Sequence, residues 1–294
     1  MTTYLLERAW VGDAVRSDVL VEVADGRIVG VADLAATPPT SGAVRVPGLT
    51  IPGLANTHSH VFHRALRGRT QRGRGSFWTW REQMYAVAER LDPDSLFALA
   101  RATYREMVGA GITSVGEFHY LHHQADGTPY DEPNAMGLAL VEAAREAGLR
   151  LTLLDTAYLA SGFGPGSSTA PEGVQLRFSD GDADRWAERV AALGDAPADH
   201  VRVGAAIHSV RAVPRDQLGI VAGAAAGRPL HVHVSEQVAE NDACLAAHGR
   251  TPTALLHEAG ALGPMSTAVH ATHLTDDDIA RLGETSTHVS FCPT

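Results

Sequence analysis

Leu49-Thr50-Ile51-Pro52-Gly53-Leu54-Ala55-Asn56-Thr57-His58-Ser59-His60 decides the fold of this chain: an apolar run closes on two histidines separated by one residue. Alternate residues of a strand share one face, so the two imidazoles project together from a strand end and can hold one metal ion. An H-x-H pair alone also occurs in ordinary strands, but here the pattern returns. Leu230-His231-Val232-His233-Val234-Ser235-Glu236 and Ala268-Val269-His270-Ala271-Thr272-His273-Leu274 are further apolar runs that carry histidines where a strand should give way to a loop. Three strand ends thus point to the same chemistry.

Working outward, strands are expected near 50–57, 111–118, 149–157, 201–208, 229–235, 267–273 and 287–292. Helical stretches such as 93–109, 133–147, 215–226 and 275–282 fall between them. Strand and helix in alternation imply a parallel sheet covered by helices, here an α/β chain of seven β/α units, one short of a (β/α)8 barrel. Residues 1–50 read differently, as short β runs with Asp25-Gly26 as a hairpin turn, and form a small N-terminal β domain ahead of a 51–294 barrel domain. The Arg/Gly-rich stretch 67–75 and the segment from Gly162 to Gly173 read as surface loops over the site face.

The chain has 294 residues, 45% of them hydrophobic, enough for a full core. Its 24 basic residues, all arginine, stand against 34 acidic ones for a net charge of −10, which argues against a nucleic-acid or anionic-membrane partner despite the arginines and aromatics between Arg64 and Arg81. Without lysine there is no lysine nucleophile, Schiff base or metal-bridging modified lysine. Two cysteines, Cys244 and Cys292, give no disulfide framework and are expected to be buried thiols. No basic-then-apolar leader opens the chain and no apolar run approaches transmembrane length, so a cytoplasmic protein is expected.

Catalytic groups of a (β/α) barrel gather where strands end and βα loops begin. His58 and His60 end the first strand, His119 and Tyr120 follow the second, His208 and Arg211 the fourth, His233 and Glu236 the fifth, and His270 the sixth. His58, His60 and His233 would supply the three protein ligands of a catalytic zinc. Glu236 is placed to shuttle protons, although a solvated loop carboxylate fits its spacing equally, and His270 is placed to orient the attacking water. His231 and His273 are read as side chains that orient neighbours. Arg81 and Arg211 are candidate carboxylate clamps and Tyr120 and His208 candidate hydrogen-bonding groups, with an exposed loop residue and a core aromatic as the plain alternatives for Arg81 and Tyr120.

The set His58-x-His60, His233-x-x-Glu236 and His270 resembles the amidohydrolase superfamily in its mononuclear, cytosine-deaminase-like branch. The strings Ser76-Phe77-Trp78-Thr79-Trp80-Arg81, Gly116-Glu117-Phe118-His119-Tyr120-Leu121-His122-His123 and His208-Ser209-Val210-Arg211 resemble the formimidoylglutamate deiminases. The resemblance implies a TIM-like barrel, one Zn2+ per subunit with Fe2+ as the alternative, a homodimer, and hydrolysis of the small acidic substrate N-formimino-L-glutamate to N-formyl-L-glutamate and ammonia in histidine degradation. It implies Glu236 and His270 as catalytic groups and Arg81, Tyr120, His208, Arg211 and His63 as substrate contacts. His63 stands where many relatives carry glutamine. The family's metal aspartate on an eighth strand has no counterpart here, so the barrel and the β domain are expected to be incomplete at the C-terminal side. The competing readings are a deaminase of guanine-like or other heterocycles and a noncatalytic metal- or ligand-binding form.

Overall fold

The computed structural model describes residues 1–35, 42–70, 77–164, 167–194 and 198–292. It separates into two compact units, Met1–Leu54 and Ala55–Thr294. In the first, β1 (Thr2–Val11), β2 (Ala14–Ala24), β3 (Arg27–Asp33) and β4 (Val44–Thr50) form one sheet in the order β3-β2-β1-β4. The β1/β2 and β2/β3 pairs are antiparallel, and β4 runs parallel to β1. Asp25 and Gly26 make the β2–β3 turn, both with positive φ (50° and 71°), as a tight two-residue hairpin requires. Leu6, Ala9 and Val19 form its small core.

The second unit alternates strand and helix. Its strands are β5 (Leu54–Ser59), β6 (Ile112–His119), β7 (Arg150–Ala157), β10 (Val201–Ile207), β11 (Leu230–Val234), β12 (Ser266–His270) and β13 (His288–Ser290), in the spatial order β5-β6-β7-β10-β11-β12-β13. Pairing is parallel from β6 through to β13. The helices are α1 (Phe77–Ala88), α2 (Pro93–Gly109), α3 (Ala135–Ala147), α4 (Ala183–Ala192), α5 (Arg215–Ala224), α6 (Val238–His248), α7 (Pro252–Glu258) and α8 (Asp276–Glu284). Strands β7 and β10 are buried along nearly their whole length by Leu151, Leu153, Leu154, Val201, Val203, Ala205, Ala206 and Ile207, as parallel strands covered on both faces must be. At Gly204 a Cβ would lie 2.8 Å from the Pro229 carbonyl oxygen and 2.9 Å from Leu154 Cδ2, so only glycine lets the chain pass there. The sheet curls until its edge strands meet: the Thr57 hydroxyl on β5 lies 2.6 Å from that of Ser290 on β13. These are seven strands of a (β/α) barrel, preceded by a β unit.

Local differences from the sequence reading have physical causes. The apolar run at 49–57 is two strands, because Pro52 has no N–H to donate and interrupts the ladder between Thr50 and Leu54. Strand β12 stops at His270, where His270 and Ala271 turn to φ of 69° and 49°, so His273 leaves the strand and is exposed. The segment read as one loop at 162–173 contains a short antiparallel hairpin, β8 (Gly162–Gly164) and β9 (Ser167–Thr169). Residues 71–76, which include Ser76 and most of the Arg/Gly-rich stretch, lie outside the described residues, as do 165–166 within the 162–173 segment.

Candidate active site

The ends of β5, β6, β7, β10, β11, β12 and β13 surround a cavity of about 290 Å³. The ten residues given metal, catalytic or substrate roles from the sequence line it: His58, His60, His63, Arg81, Tyr120, His208, Arg211, His233, Glu236 and His270. His60 Nε2 and His58 Nε2 each lie 3.2 Å from His233 Nε2. His60 Nδ1 faces the Phe118 carbonyl at 2.9 Å and His233 Nδ1 the His208 carbonyl at 2.8 Å. A carbonyl oxygen only accepts, so both Nδ1 atoms carry the proton and both Nε2 atoms present a bare lone pair. Two bare nitrogens at 3.2 Å repel each other unless a cation lies between them. A proton is disfavoured as that cation, because burial holds the pKa values of His60 and His233 well below the ordinary histidine value and that of His58 at about 2. The donor set therefore fits a metal ion held by three neutral imidazoles, with backbone carbonyls orienting two of them.

The other side chains surround this centre. Glu236 Oε2 is 3.8 Å from His270 Nε2, and the backbone is bent there into positive φ at both Ser235 (51°) and His270 (69°). Such turns at the strand ends re-aim the side chains toward the cavity. Burial lowers the His270 pKa, with Glu236 opposing. Tyr120 and His63 are joined at 3.0 Å between the hydroxyl and Nε2, and burial brings His63 down to about 3. His208 faces the cavity with its ring while its carbonyl orients His233; burial, then Arg211 and Arg81, keep its ring neutral. Arg211 is 3.7 Å from the buried Glu240, whose Oε2 accepts the Glu236 backbone N–H at 3.2 Å. Arg81, on α1, donates from Nε to Tyr85 at 2.8 Å.

Several cavity residues carry no signal in sequence spacing: Trp80, Met84, Tyr85, Tyr158, Phe178 and Cys292. Tyr158 follows β7, one of the strand ends that lacked a candidate, and the position of a strand end is the one cue that could have found it. Cys292, expected buried, is exposed at the cavity edge, whereas Cys244 is buried. Conversely, His119 turns away from the cavity: its ring packs against Gly137 of α3. His231 lines a separate cavity with Asn56, Thr57 and His288. His119, His122 and Asp155 form another cluster of potential ligands, but Arg189 binds both Asp155 oxygens at 2.9 Å and His122 Nε2 donates to the Thr156 carbonyl. That cluster is an ion-pair network extended through Asp180 and His123. Among the described residues no helix is long and apolar enough to cross a membrane.

Comparison with known proteins agrees with this architecture. The chain is 37% identical over 301 residues to the formimidoylglutamate deiminase of Pseudomonas aeruginosa, covering 99% of this chain and 64% of that protein. It is 28% identical over 280 residues to the 8-oxoguanine deaminase of the same organism, covering 92% and 60%. The chain therefore spans less than two thirds of the length of these relatives. An amidohydrolase from Brucella melitensis superposes with a TM-score of 0.91 at 33% identity, over 100% of this chain and 65% of that one. The atrazine chlorohydrolase of Arthrobacter aurescens, solved with zinc, shares the fold with a TM-score of 0.81 at 20% identity, over 100% and 66%. Residues 49–294 match the amidohydrolase family throughout, and with the barrel and its strand-end histidines this places the chain in that family.

Proposed function

We propose that this chain forms the catalytic barrel of a zinc-dependent deiminase that hydrolyses N-formimino-L-glutamate to N-formyl-L-glutamate and ammonia, a step of histidine degradation. The observation that carries the reading is the presence of two guanidiniums, Arg81 and Arg211, in the same cavity as the three-histidine centre and the Glu236–His270 pair. A substrate with two carboxylates and an amidine carbon calls for that combination: planar cations for the carboxylates, and a proton-transfer pair for the carbon.

When bound by His58, His60 and His233, zinc supplies Lewis acidity and brings the pKa of a water molecule near about 7. Arg81 and Arg211 hold the carboxylates, and Tyr120 and His208 add hydrogen bonds that fix the formimino group. His270 aligns the water for attack. Glu236 takes one water proton as the C–O bond forms and the C=N bond becomes single, and passes it to that nitrogen; it then carries the remaining hydroxyl proton to the same nitrogen as the C–N bond breaks, so that ammonia leaves and the oxygen remains as a formyl group. The aromatic wall of Trp80, Tyr120, Tyr158 and Phe178 supports a second reading, deamination of a planar heterocycle, as does the likeness to an 8-oxoguanine deaminase.

Ammonia release from zinc-loaded protein decides between them. Release from N-formimino-L-glutamate, lost by about a hundredfold or more in Glu236→Gln with zinc content unchanged, is the expected outcome. Turnover of 8-oxoguanine alone would favour the second reading, and no turnover of either would leave a binding protein.

A further inference from the structure

The end of β7 places Tyr158 on the cavity wall, only 6% exposed, with its ring 4.7 Å from that of His208. Its hydroxyl accepts a hydrogen bond from Gln175 Nε2 at 2.8 Å, and the same amide nitrogen donates to the Tyr85 hydroxyl at 3.0 Å. The orientation of this amide is fixed from its other end, since Gln175 Oε1 accepts the Glu172 backbone N–H at 3.3 Å. Gln175 is itself 5% exposed, in the 3-10 helix Gly173–Phe178. Its NH2 group thus spends both donors on two phenols and has nothing with which to accept a phenolic proton. The Tyr85 oxygen, next to it, already accepts from Gln175 and from Arg81 Nε, which leaves it a poor acceptor for the Tyr158 proton. The cavity that Tyr158 lines is the open direction for its O–H.

Charge reinforces this geometry. Burial raises the Tyr158 pKa, so the phenol stays protonated at neutral pH, while both Arg81 and Arg211 are close enough to act on it electrostatically. A neutral O–H in the field of two guanidiniums is a donor suited to an anion. We propose that Tyr158 is a specificity-determining residue that donates its hydroxyl proton to one carboxylate of the substrate, and that Gln175 is a positioning residue that aims it. The assignment rests on the acidic-substrate reading of the cavity and adds to it the third donor of the carboxylate subsite, alongside the two arginines. Hydrogen bonds of the O–H···O⁻ type are short and strong, and one phenol is bound to a single carboxylate oxygen, so the contact discriminates between the two ends of a dicarboxylate.

The test is made on zinc-loaded protein with two readouts: KM for N-formimino-L-glutamate, and calorimetric Kd for N-formyl-L-glutamate, N-formylglycine and 4-formamidobutyrate, the last two retaining one carboxylate each. Tyr158→Phe should raise KM and the dicarboxylate Kd by about tenfold or more, with the loss on KM exceeding that on kcat. The loss should persist for one monocarboxylate and vanish for the other; equal losses for both, or none for the dicarboxylate, would overturn the assignment. In Gln175→Glu the new carboxylate accepts from both phenols and turns the Tyr158 proton away from the cavity. It should weaken binding in the presence of Tyr158 and add little in the Tyr158→Phe background; full additivity in that cycle would remove Gln175 from the proposal. Should Tyr158→Phe fail to fold, Gln175→Glu with Tyr158 intact carries the test through the same monocarboxylate comparison. Unaltered protein that binds the dicarboxylate but releases no ammonia would refute the deiminase reading while the binding data still judge Tyr158, and protein that binds no dicarboxylate would refute both.

Discussion

Glu117 sits behind the metal-binding strand end, 1% exposed, and its Oε1 accepts the Val61 backbone N–H at 2.6 Å, which fixes the turn that follows His60. Burial is the largest influence on it and raises its pKa from 4.5 to about 7, with the hydrogen bonds from Val61, Ser59 and Tyr104 opposing. Because the folded state holds this proton more tightly than the unfolded chain does, the stability it contributes is complete below the unfolded pKa and is lost as pH rises through the folded one. Glu117→Gln keeps a carbonyl acceptor for Val61 and cannot ionise. The variant should therefore gain thermal stability relative to the unaltered protein as pH rises from about 5 to about 8. Parallel Tm curves for the two proteins across that range would show that Glu117 does not titrate as its surroundings dictate. The sequence places this carboxylate on a strand after Gly116, but burial of the charge depends on Tyr104 and Val61 arriving from other elements.

At the scale of elements, Arg177 joins three segments of the site wall. Its side chain is fully buried, donating to the Ala88 and Leu91 carbonyls at the end of α1 and to the His123 carbonyl beyond β6. In return its own carbonyl accepts the N–H groups of His122 and His123. A buried guanidinium with carbonyls on several sides satisfies groups that the end of a helix leaves open. Arg177→Met should cost about 3 kcal/mol or more in urea unfolding, since it strands several buried acceptors. It should also raise KM for the acidic substrate, because α1 carries both Arg81 and Tyr85; Arg177→Lys, which keeps one or two of these bonds, should fall between. A KM left unchanged in both variants would mean that α1 is held by its apolar face alone. Helices of this chain were legible where capping chemistry is local, as at α2, where Asp92 and Ser95 cap each other's backbone N–H groups. The role of Arg177 was not, since nothing local marks an arginine between Leu176 and Phe178 as buried.

For the molecule as a whole, the three-histidine centre ties β5 to β11, which are four places apart in the sheet. A ligand that binds only the folded state stabilises it by mass action, by about 2.7 kcal/mol at a hundredfold excess over Kd. Chelation should consequently lower Tm by several degrees, and zinc should restore it. His233→Ala should make Tm insensitive to the chelator, since His60 and His58 then lack the nitrogen that both face. An unaltered protein whose Tm ignores both chelator and zinc would refute a metal centre at these residues.

The sequence by itself determined the alternation of strands and helices and the placing of eight cavity residues at strand ends. Both are local properties: a period of two fixes which side chains share a strand face, and a βα unit sends the end of each strand toward the same rim. Only the tertiary structure decided which groups complete the site. Gln175 reaches Tyr85 across 90 residues, Glu240 meets Arg211 from α6, beyond the next strand, and the Tyr158 hydroxyl is oriented by Gln175 from a separate helix. Hydrogen-bond direction and burial of charge are set by what surrounds an atom in space, and spacing along the chain carries no record of that.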